Sequence, residues 1–480
     1  MAERENTRLL ALEVLVEVEK KNIFVKDALN KLLFQKQFAS KQDRAFISRL
    51  VEGVTEHQVQ LDYVINQVSK TPVNKCKPLI RCLLRMTVYQ ILYMDSVPVE
   101  AACDEAVKLA KKKGFRNLTG FVNGVLRNVV RQKDIIVFPT KEENLPLFLS
   151  ITYSMPLWIV EQMIDWYGKE LTEKMLATFL KEDDLTIRVN EKRITKDQLI
   201  KKLEEKDIEV SRGYYLEEAL HLKNINYVGR IPGFKQGEFF IQDESSMLLY
   251  HVAKPEIELE RKEMVYNSSN LVDGEDNSQN IQSQACLKVL DLCAAPGGKT
   301  THFAQMLGEK ITVEARDLSQ KKVDLINENI ERLGLSNVET VVWDALIIDN
   351  DKKEWADIVI ADLPCSGFGI LSKKNDIKYH ISKEQLLELS NLQKTILTNA
   401  ASYVKPGGVL LYSTCTINPE ENKDNAAWFL DHFNFVKEDI TDLVPKQLRD
   451  SMMDNYMLQL LPGVVECDGF FIAKFRKNME

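Results

Sequence analysis

The sequence lacks the residue groupings on which several protein classes depend. Its eight cysteines (Cys76, Cys82, Cys103, Cys286, Cys293, Cys365, Cys415 and Cys467) contain no C-x-x-C pair, and its six histidines are scattered. Neither a disulfide framework nor a structural zinc or other metal site is expected; free thiols in a reducing cytoplasm are. No apolar run approaches the roughly 20 residues of a membrane span. The opening Met1-Ala-Glu-Arg-Glu-Asn6 is not read as a signal peptide. A cytoplasmic protein with no membrane partner is therefore expected. Also missing is G-x-G-x-x-G, which removes the usual dinucleotide site.

Charge of one sign is scarce only locally. The net charge is −8, yet residues 1–140 hold 23 Lys and Arg against 15 Asp and Glu, a net of +8, which leaves −16 for the remainder. A basic N-terminal segment on an acidic body suits delivery to a polyanion, and equally suits a solvated face. The length of 480 residues and 45% hydrophobic content predict two or three packed domains.

Residues 1 to about 135 read as all helix, with dense apolar stretches at Leu9–Val18 and Leu79–Met94 and punctuation at Pro72, Pro78 and Pro98. Lys108–Arg116 and the Arg127/Arg131 pair, four apart on one helix face, are the basic features. Residues 140–240 read as a small α+β lobe. Ser154 is placed as a helix cap with Pro156 in the first turn, and strands are predicted at 185–190 and from 208. Residues 255–285 are polar, with seven acids against two bases, and are expected to be a disordered insertion. From 287 strands and helices alternate, with strands at 287–292, 311–317, 338–343, 357–362 and 407–413 and another near 470–475. Such alternation predicts a Rossmann-like, doubly wound, mainly parallel sheet that binds ligands at the carboxyl ends of its strands.

The residues of chemical interest fall at those ends. The first strand breaks into Cys293-Ala294-Ala295-Pro296-Gly297-Gly298-Lys299-Thr300, and a helix follows. A strand turning on small residues into a helix gathers free N–H groups and a helix dipole at one point. Gly298-Lys299-Thr300 fits the end of a P-loop, but Cys293 takes the place of its first glycine. The alternative ligand, S-adenosylmethionine, offers a single carboxylate. Asp317 ends the second strand, 26 positions after Asp291, where it can take ribose hydroxyls; Asp344 ends the third and can face adenine. Asp362 begins Asp-Leu-Pro-Cys365-Ser-Gly, and Cys415 lies in Ser-Thr-Cys-Thr-Ile-Asn-Pro-Glu-Glu421. An acid ending a strand also suits a Walker-B role, so an ATPase competes, although it gives Cys415 no work. Two cysteines on polar turns of one rim suit methylation of a pyrimidine at carbon 5. A thiolate adds to carbon 6 and makes carbon 5 nucleophilic, Asp362 holds or protonates N3, and a second thiol assists release. Position alone does not rank the two thiols.

Asp291–Thr300, Asp362–Gly367 and Ser413–Thr416, with Asp468-Gly-Phe-Phe471, resemble the Nop2/Sun family of RNA cytosine-5 methyltransferases. Phe121–Asn128 is similar to the NusB-like RNA-binding domain fused to the family's bacterial 16S ribosomal RNA branch. The resemblance implies a NusB-like all-α domain at 1–140, a small RNA-binding lobe at 141–246 and a methyltransferase domain at 247–480. It implies S-adenosylmethionine held by Cys293–Lys299, Asp317, Asp344 and Asp362, with Cys415 as nucleophile and Cys365 assisting release. A monomer acting on a 16S rRNA cytosine, free or in a subunit precursor, is the expectation. A non-catalytic assembly factor is the rival. Ser372-Lys373-Lys374 stands where the family usually carries an arginine pair, which keeps the charge without the bidentate fork.

Overall fold

The computed structural model describes residues 6–36, 40–181, 184–225, 227–253, 287–308 and 311–479. The insertion expected at 255–285 lies outside them. The chain forms two compact units: residues 1–181 with 371–381, and residues 182–370 with 382–480.

The first unit is helical. Its principal helices are α1 (Thr7–Lys21), α2 (Val25–Gln35), α3 (Lys41–Glu56), α4 (Gln58–Val68), α5 (Pro78–Tyr93), α6 (Val99–Lys112), α7 (Thr119–Gln132), α8 (Lys141–Thr152), α9 (Leu157–Tyr167) and α10 (Lys169–Thr178). Helix α5 begins on Pro78, whose missing N–H costs nothing at that position. It is buried almost all round, so α1, α3, α4, α6 and α7 wrap it through Leu12, Leu50, Leu61, Leu83, Leu109 and Leu126. Arg127 and Arg131 lie exposed on α7, and Lys111, Lys112 and Arg116 are exposed before it.

Ser154 departs from expectation. Helix α9 starts after Pro156 without a side-chain cap. Ser154 takes φ 49°, and its Oγ accepts from the N–H groups of Val59 (3.1 Å) and Gln60 (3.4 Å), so it caps α4 instead. Its own carbonyl and that of Glu56 accept from the buried Lys378 Nζ at 2.7 and 3.0 Å. Segment 371–381 is thereby tied into the helical unit, and Asp376 accepts the N–H of Val25 at 2.6 Å.

The second unit holds two sheets. Strands β1 (Leu185–Val189), β2 (Glu209–Arg212), β3 (Ala219–Lys223) and β4 (Phe239–Ile241) form an antiparallel sheet in the order β2-β3-β1-β4, with α11 (Lys196–Glu204) packed on it. Strands β3 and β4 are additions to the sequence reading. Helix α12, residues 244–253, follows.

The larger sheet contains β5 (Leu287–Asp291), β6 (Ile311–Asp317), β7 (Val338–Val342), β8 (Ala356–Asp362), β9 (Val404–Thr414), β10 (Phe435–Lys437), β11 (Met452–Asp454), β12 (Met457–Leu460) and β13 (Phe470–Lys477). Its order is β11-β12-β13-β9-β8-β5-β6-β7, with β10 on β13. Strands β5 to β9 are parallel, whereas β13, β12 and β11 extend the β9 edge antiparallel. The sheet is thus mixed to a greater degree than the alternating segment suggested, because hairpins after β9 need no crossover helix.

Both faces of the parallel part are covered, which explains its unbroken apolar runs. Val289, Ile358, Ile360 and Leu411 enter one core; Leu290, Val359, Leu410 and Tyr412 enter the other. The connecting helices are α13 (Gly298–Leu307), α14 (Gln320–Leu333), α16 (Lys383–Tyr403) and α17 (Lys423–His432), with a Ser382/Gln385 capping box at the start of α16, while the short α15 (Ile377–His380) lies in the segment that belongs to the helical unit. No single helix among the described residues is long and apolar enough to cross a membrane.

Removing the Ser154 hydroxyl strips α4 of its cap. Ser154→Ala is expected to lower the stability of the helical unit by about 1 kcal/mol, which a urea melt followed by helical circular dichroism would measure.

Candidate active site

The parallel strands bring their carboxyl ends to one rim. Strand order reverses between β8 and β5, which opens the crevice where such sheets bind ligands. The turn after β5 is fastened from both sides. Leu292 donates to Ile360 O (3.1 Å), Ala294 to Arg316 O (2.8 Å), and Ala295 N–H to Asp317 Oδ2 (2.9 Å). Gly297, at φ 100°, takes the left-handed conformation that leads into α13, where no side chain caps the first N–H groups.

Helix α13 is gripped from behind by Arg188 on β1. The buried guanidinium donates to Gly298 O (3.0 Å), Thr301 Oγ1 (3.2 Å) and Gln305 Oε1 (2.6 Å), and to Gln242 Oε1. Burial pushes Arg188 down to about 9, so the helix is held by a costly, many-bonded cation. The sequence reading gave this residue no role.

Asp291 is fully enclosed at the end of β5. Its Oδ2 accepts from Thr300 Oγ1 at 2.6 Å, while Oδ1 has no partner among the described residues. Burial pushes the carboxyl up to about 7, against the Thr300 hydrogen bond and aided by the charge of Asp362. Asp317 accepts the N–H groups of Ala295 and Leu318 (2.8 Å) and pairs with Lys322 at 2.9 Å, so it holds the turn as well as ending its strand. Asp344 stands after the edge strand β7 and accepts the N–H of Leu346 at 2.9 Å in a local turn. These residues fit S-adenosylmethionine. The uncapped start of α13 supplies donors for a carboxylate, and the orphaned Asp291 Oδ1 supplies an acceptor beside it.

Three of the seven described free cysteines belong to this rim, and they differ. Cys293 lies in the turn, where burial, then the charges of Asp291, Asp317 and Asp362, push its thiol far above the ordinary range and leave it inert. Cys365 and Cys415 are half-buried with their sulfurs 3.4 Å apart. The neighbouring Cys415 sulfur, then burial, pushes the Cys365 thiol well up. Beside them, the Asp362 carboxylate is oriented by Lys299 Nζ at 2.6 Å on Oδ2 and Ser413 Oγ at 2.8 Å on Oδ1.

Backbone contacts lock the two cysteine loops. Gly369 donates to Cys415 O (3.1 Å), and Gly469 donates to Gly369 O (2.9 Å). A Cβ on Gly369 would sit 2.0 Å from Gly469 O, so this approach requires glycine. The Asp468-Gly-Phe-Phe471 stretch thus reaches the rim. The structure brings Asp362, Cys365, Cys415 and Lys299 together around the turn 293–298; Asp344 remains at the outer strand.

Comparisons with known proteins agree with this layout. A family model described as 16S rRNA methyltransferase RsmB/F matches residues 279–476. A NusB family model matches 5–131, and a ferredoxin-like domain model of RsmF/B-like methyltransferases matches 155–228. The probable ribosomal RNA small subunit methyltransferase B of Bacillus subtilis strain 168 is 33% identical over 485 residues, 99% of each chain. That of Synechocystis sp. PCC 6803 is 30% identical over 477 residues, 98% of this chain and 99% of the other. The crystal structure of PH0851 shares the fold with a TM-score of 0.77 at 23% identity, covering 99% of this chain and 100% of that one. A NusB-type helical domain, a small ferredoxin-like lobe and a mixed-sheet catalytic domain define a methyltransferase. At 33% identity across its whole length to a family member, the chain belongs to the RsmB/F family of 16S rRNA methyltransferases.

The Asp291 environment has a measurable consequence. Its pKa rises from 3.8 to about 7 on folding, so the folded state keeps a proton that the unfolded chain has lost between those values. Its contribution to stability is full below about pH 4, falls as the pH rises towards 7, and is level above. Denaturant melts at pH 5 and pH 8 should therefore show a smaller difference for Asp291→Asn than for wild type, with the variant the more stable relative to wild type at pH 8.

Proposed function

We propose that the protein transfers a methyl group from S-adenosylmethionine to carbon 5 of a cytosine in 16S ribosomal RNA, with Cys415 as covalent nucleophile. The observation that carries this reading is the pair of thiols 3.4 Å apart beside an oriented carboxylate. The names of the full-length relatives support small-subunit ribosomal RNA as the substrate. The division of labour follows the three segments: helical RNA binding by 1–140, an RNA-binding lobe at 141–246, and catalysis by 247–480, in a cytoplasmic monomer.

Cysteine chemistry accounts for the arrangement. Cys415, as thiolate, adds to carbon 6; the 5,6 double bond opens and its electron pair makes carbon 5 nucleophilic. Asp362 holds or protonates N3 and so accommodates the charge displaced into the ring. S-adenosylmethionine supplies the electrophilic methyl group that carbon 5 attacks. A base, solvent water or a side chain of the rim, then takes the carbon 5 proton; the pair left behind restores the 5,6 double bond, and the carbon 6–sulfur bond breaks with its pair leaving on Cys415 as thiolate. Cys365, whose sulfur lies 3.4 Å from that of Cys415, is placed to assist that release. The turn 293–299 and Asp317, with Asp344 on the adenine side, are the residues assigned to the cofactor. The base must be unpaired or turned out of its stack to reach the rim.

Labelled S-adenosylmethionine and small-subunit rRNA, free or in partly assembled subunits, provide the test. Wild type should label carbon 5 of one cytosine, and Cys415→Ser should reduce the rate by on the order of a thousandfold or more. Cofactor binding without label on any of these substrates would turn the reading towards a non-catalytic assembly factor.

Cys365→Ser separates the two thiols. It should accumulate a protein–RNA adduct stable to denaturing gels, because attack proceeds while release stalls. Loss of adduct in Cys365→Ser alongside activity in Cys415→Ser would reverse the assignment.

A further inference from the structure

The residues that follow the two thiols share one buried carboxylate. Glu421 lies beyond β9, fully enclosed. Its Oε2 accepts from the Ser366 N–H (2.9 Å) and Gln393 Nε2 (2.9 Å); its Oε1 accepts from Asn418 Nδ2 (3.0 Å) and from the Ser366 hydroxyl. Ser366 follows Cys365 directly. Its Oγ lies 2.7 Å from the Oγ1 of Thr416, which follows Cys415 directly.

The protons on this chain have a direction. Burial pushes the Glu421 carboxyl up while the bonds from Ser366, Asn418 and Gln393 favour its charged form; the Ser366 hydroxyl donates its hydrogen bond to Oε1. Thr416 must then donate to Ser366, and its own lone pair is left for the Asn418 N–H at 3.3 Å. Four donors on one carboxylate leave neither oxygen idle, and the acceptor is shared by two loops that are 50 residues apart in sequence. Gln393 cannot turn its amide freely. Its nitrogen also donates to Pro364 O (2.9 Å), and its oxygen accepts from Asn425 Nδ2 (2.8 Å). Tyr412 donates to the Glu421 carbonyl, and Asn422 donates to Thr416 O (2.9 Å), fixing the same turn from its backbone.

Burial of this kind has a cost that a structural role alone would not need, since an apolar side chain would fill the space. We propose that Glu421 is a positioning residue: it sets the separation and facing of the Cys365 and Cys415 thiols through Ser366 and Thr416, without touching substrate. The proposal rests on the assignment of those thiols to attack and release.

Glu421→Gln keeps the volume and replaces one acceptor by a donor, which meets either the Ser366 N–H side or the Ser366 hydroxyl side. Thr416→Val removes the last link to the Cys415 loop and, with it, the acceptor of the Asn418 N–H. Methyl transfer, KM for both substrates, melting temperature and trapped adduct would be measured for each variant and for the double variant. Glu421→Gln is expected to lower kcat by on the order of ten- to a hundredfold, as sub-ångström misplacement of reacting groups does. KM values should change less than about twofold, since binding is untouched. The double variant should be no slower than Glu421→Gln alone, because both changes cut one chain of contacts. Independently of RNA, diamide, which takes up two thiol hydrogens as it forms a disulfide, should link Cys365 to Cys415 at a rate altered several-fold in Glu421→Gln.

A kcat that falls only in proportion to the folded fraction, multiplicative losses in the double variant, or an unaltered diamide rate at matched folding would each overturn the role of Glu421. Absence of methyl transfer and adduct in the wild type would instead overturn the assignment on which it rests.

Discussion

Everything at the rim depends on the register between β8 and β9. Parallel pairing sets Asp362 opposite Ser413, and from those two positions the chain runs three and two residues further to Cys365 and Cys415. Neighbouring strands lie about 4.8 Å apart, so two cysteines just past adjacent strand ends are already close before any loop is shaped. A slip of one residue would turn every side chain of β8 into the wrong core, because Ile358 and Ile360 belong to one face and Val359 and Ala361 to the other. The packing of the two cores therefore enforces the sulfur–sulfur approach. Helix α13, its Arg188 grip and the glycine contact refine a geometry that the sheet imposes.

The same rim carries a high density of acids for a site that meets a polyanion. Asp291, Asp317 and Asp362 end three parallel strands. Their field is not wasted on the thiols alike. It falls on Cys293, whose burial already disfavours ionisation, while Cys415 lies beyond β9 with the Cys365 sulfur as its neighbour. Lys299 answers Asp362 directly and stands over the Phe470 ring at 5.1 Å, so one cation is shared between the carboxylate and the last strand. Three cysteines in one neighbourhood thus have separate chemistry because of what lies within a few ångströms of each.

The parallel strands from 287 onwards, α13 and the helical N-terminal segment can be read from apolar runs and local punctuation, and the observed bounds of those strands differ by at most three residues, the largest shift being the start of β9 at Val404. The turn after β5 and the cysteine loops are legible because short motifs at strand ends carry their own geometry. What escaped was long-range. Ser154 looks like a cap for the helix it precedes, and nothing local in the sequence says that its hydroxyl serves α4 instead. Arg188 sits in an alternating strand and reads as an outward polar residue, although it is buried against α13. Glu421 lies inside a stretch whose polar composition suggests solvent, yet it is enclosed. Each is a buried polar group whose partners come from distant segments, and single-sequence periodicity has no access to those partners. The antiparallel extension was missed in extent for a related reason: β11 and β12 are short and carry no strong alternation.

The contact between Gly369 and Gly469 fixes an order of events at birth. A chain leaving the ribosome exposes Cys365 and Cys415 while Gly469, about fifty residues later, is still to be made. Until that glycine arrives, the Gly369 carbonyl has lost the donor that seats it, and the Cys365 loop lacks its final support. The nascent chain consequently passes through a period in which both sulfurs exist and are not yet held in their working arrangement. Maturation of the site therefore waits for the Gly469 segment, which emerges well after the helical one.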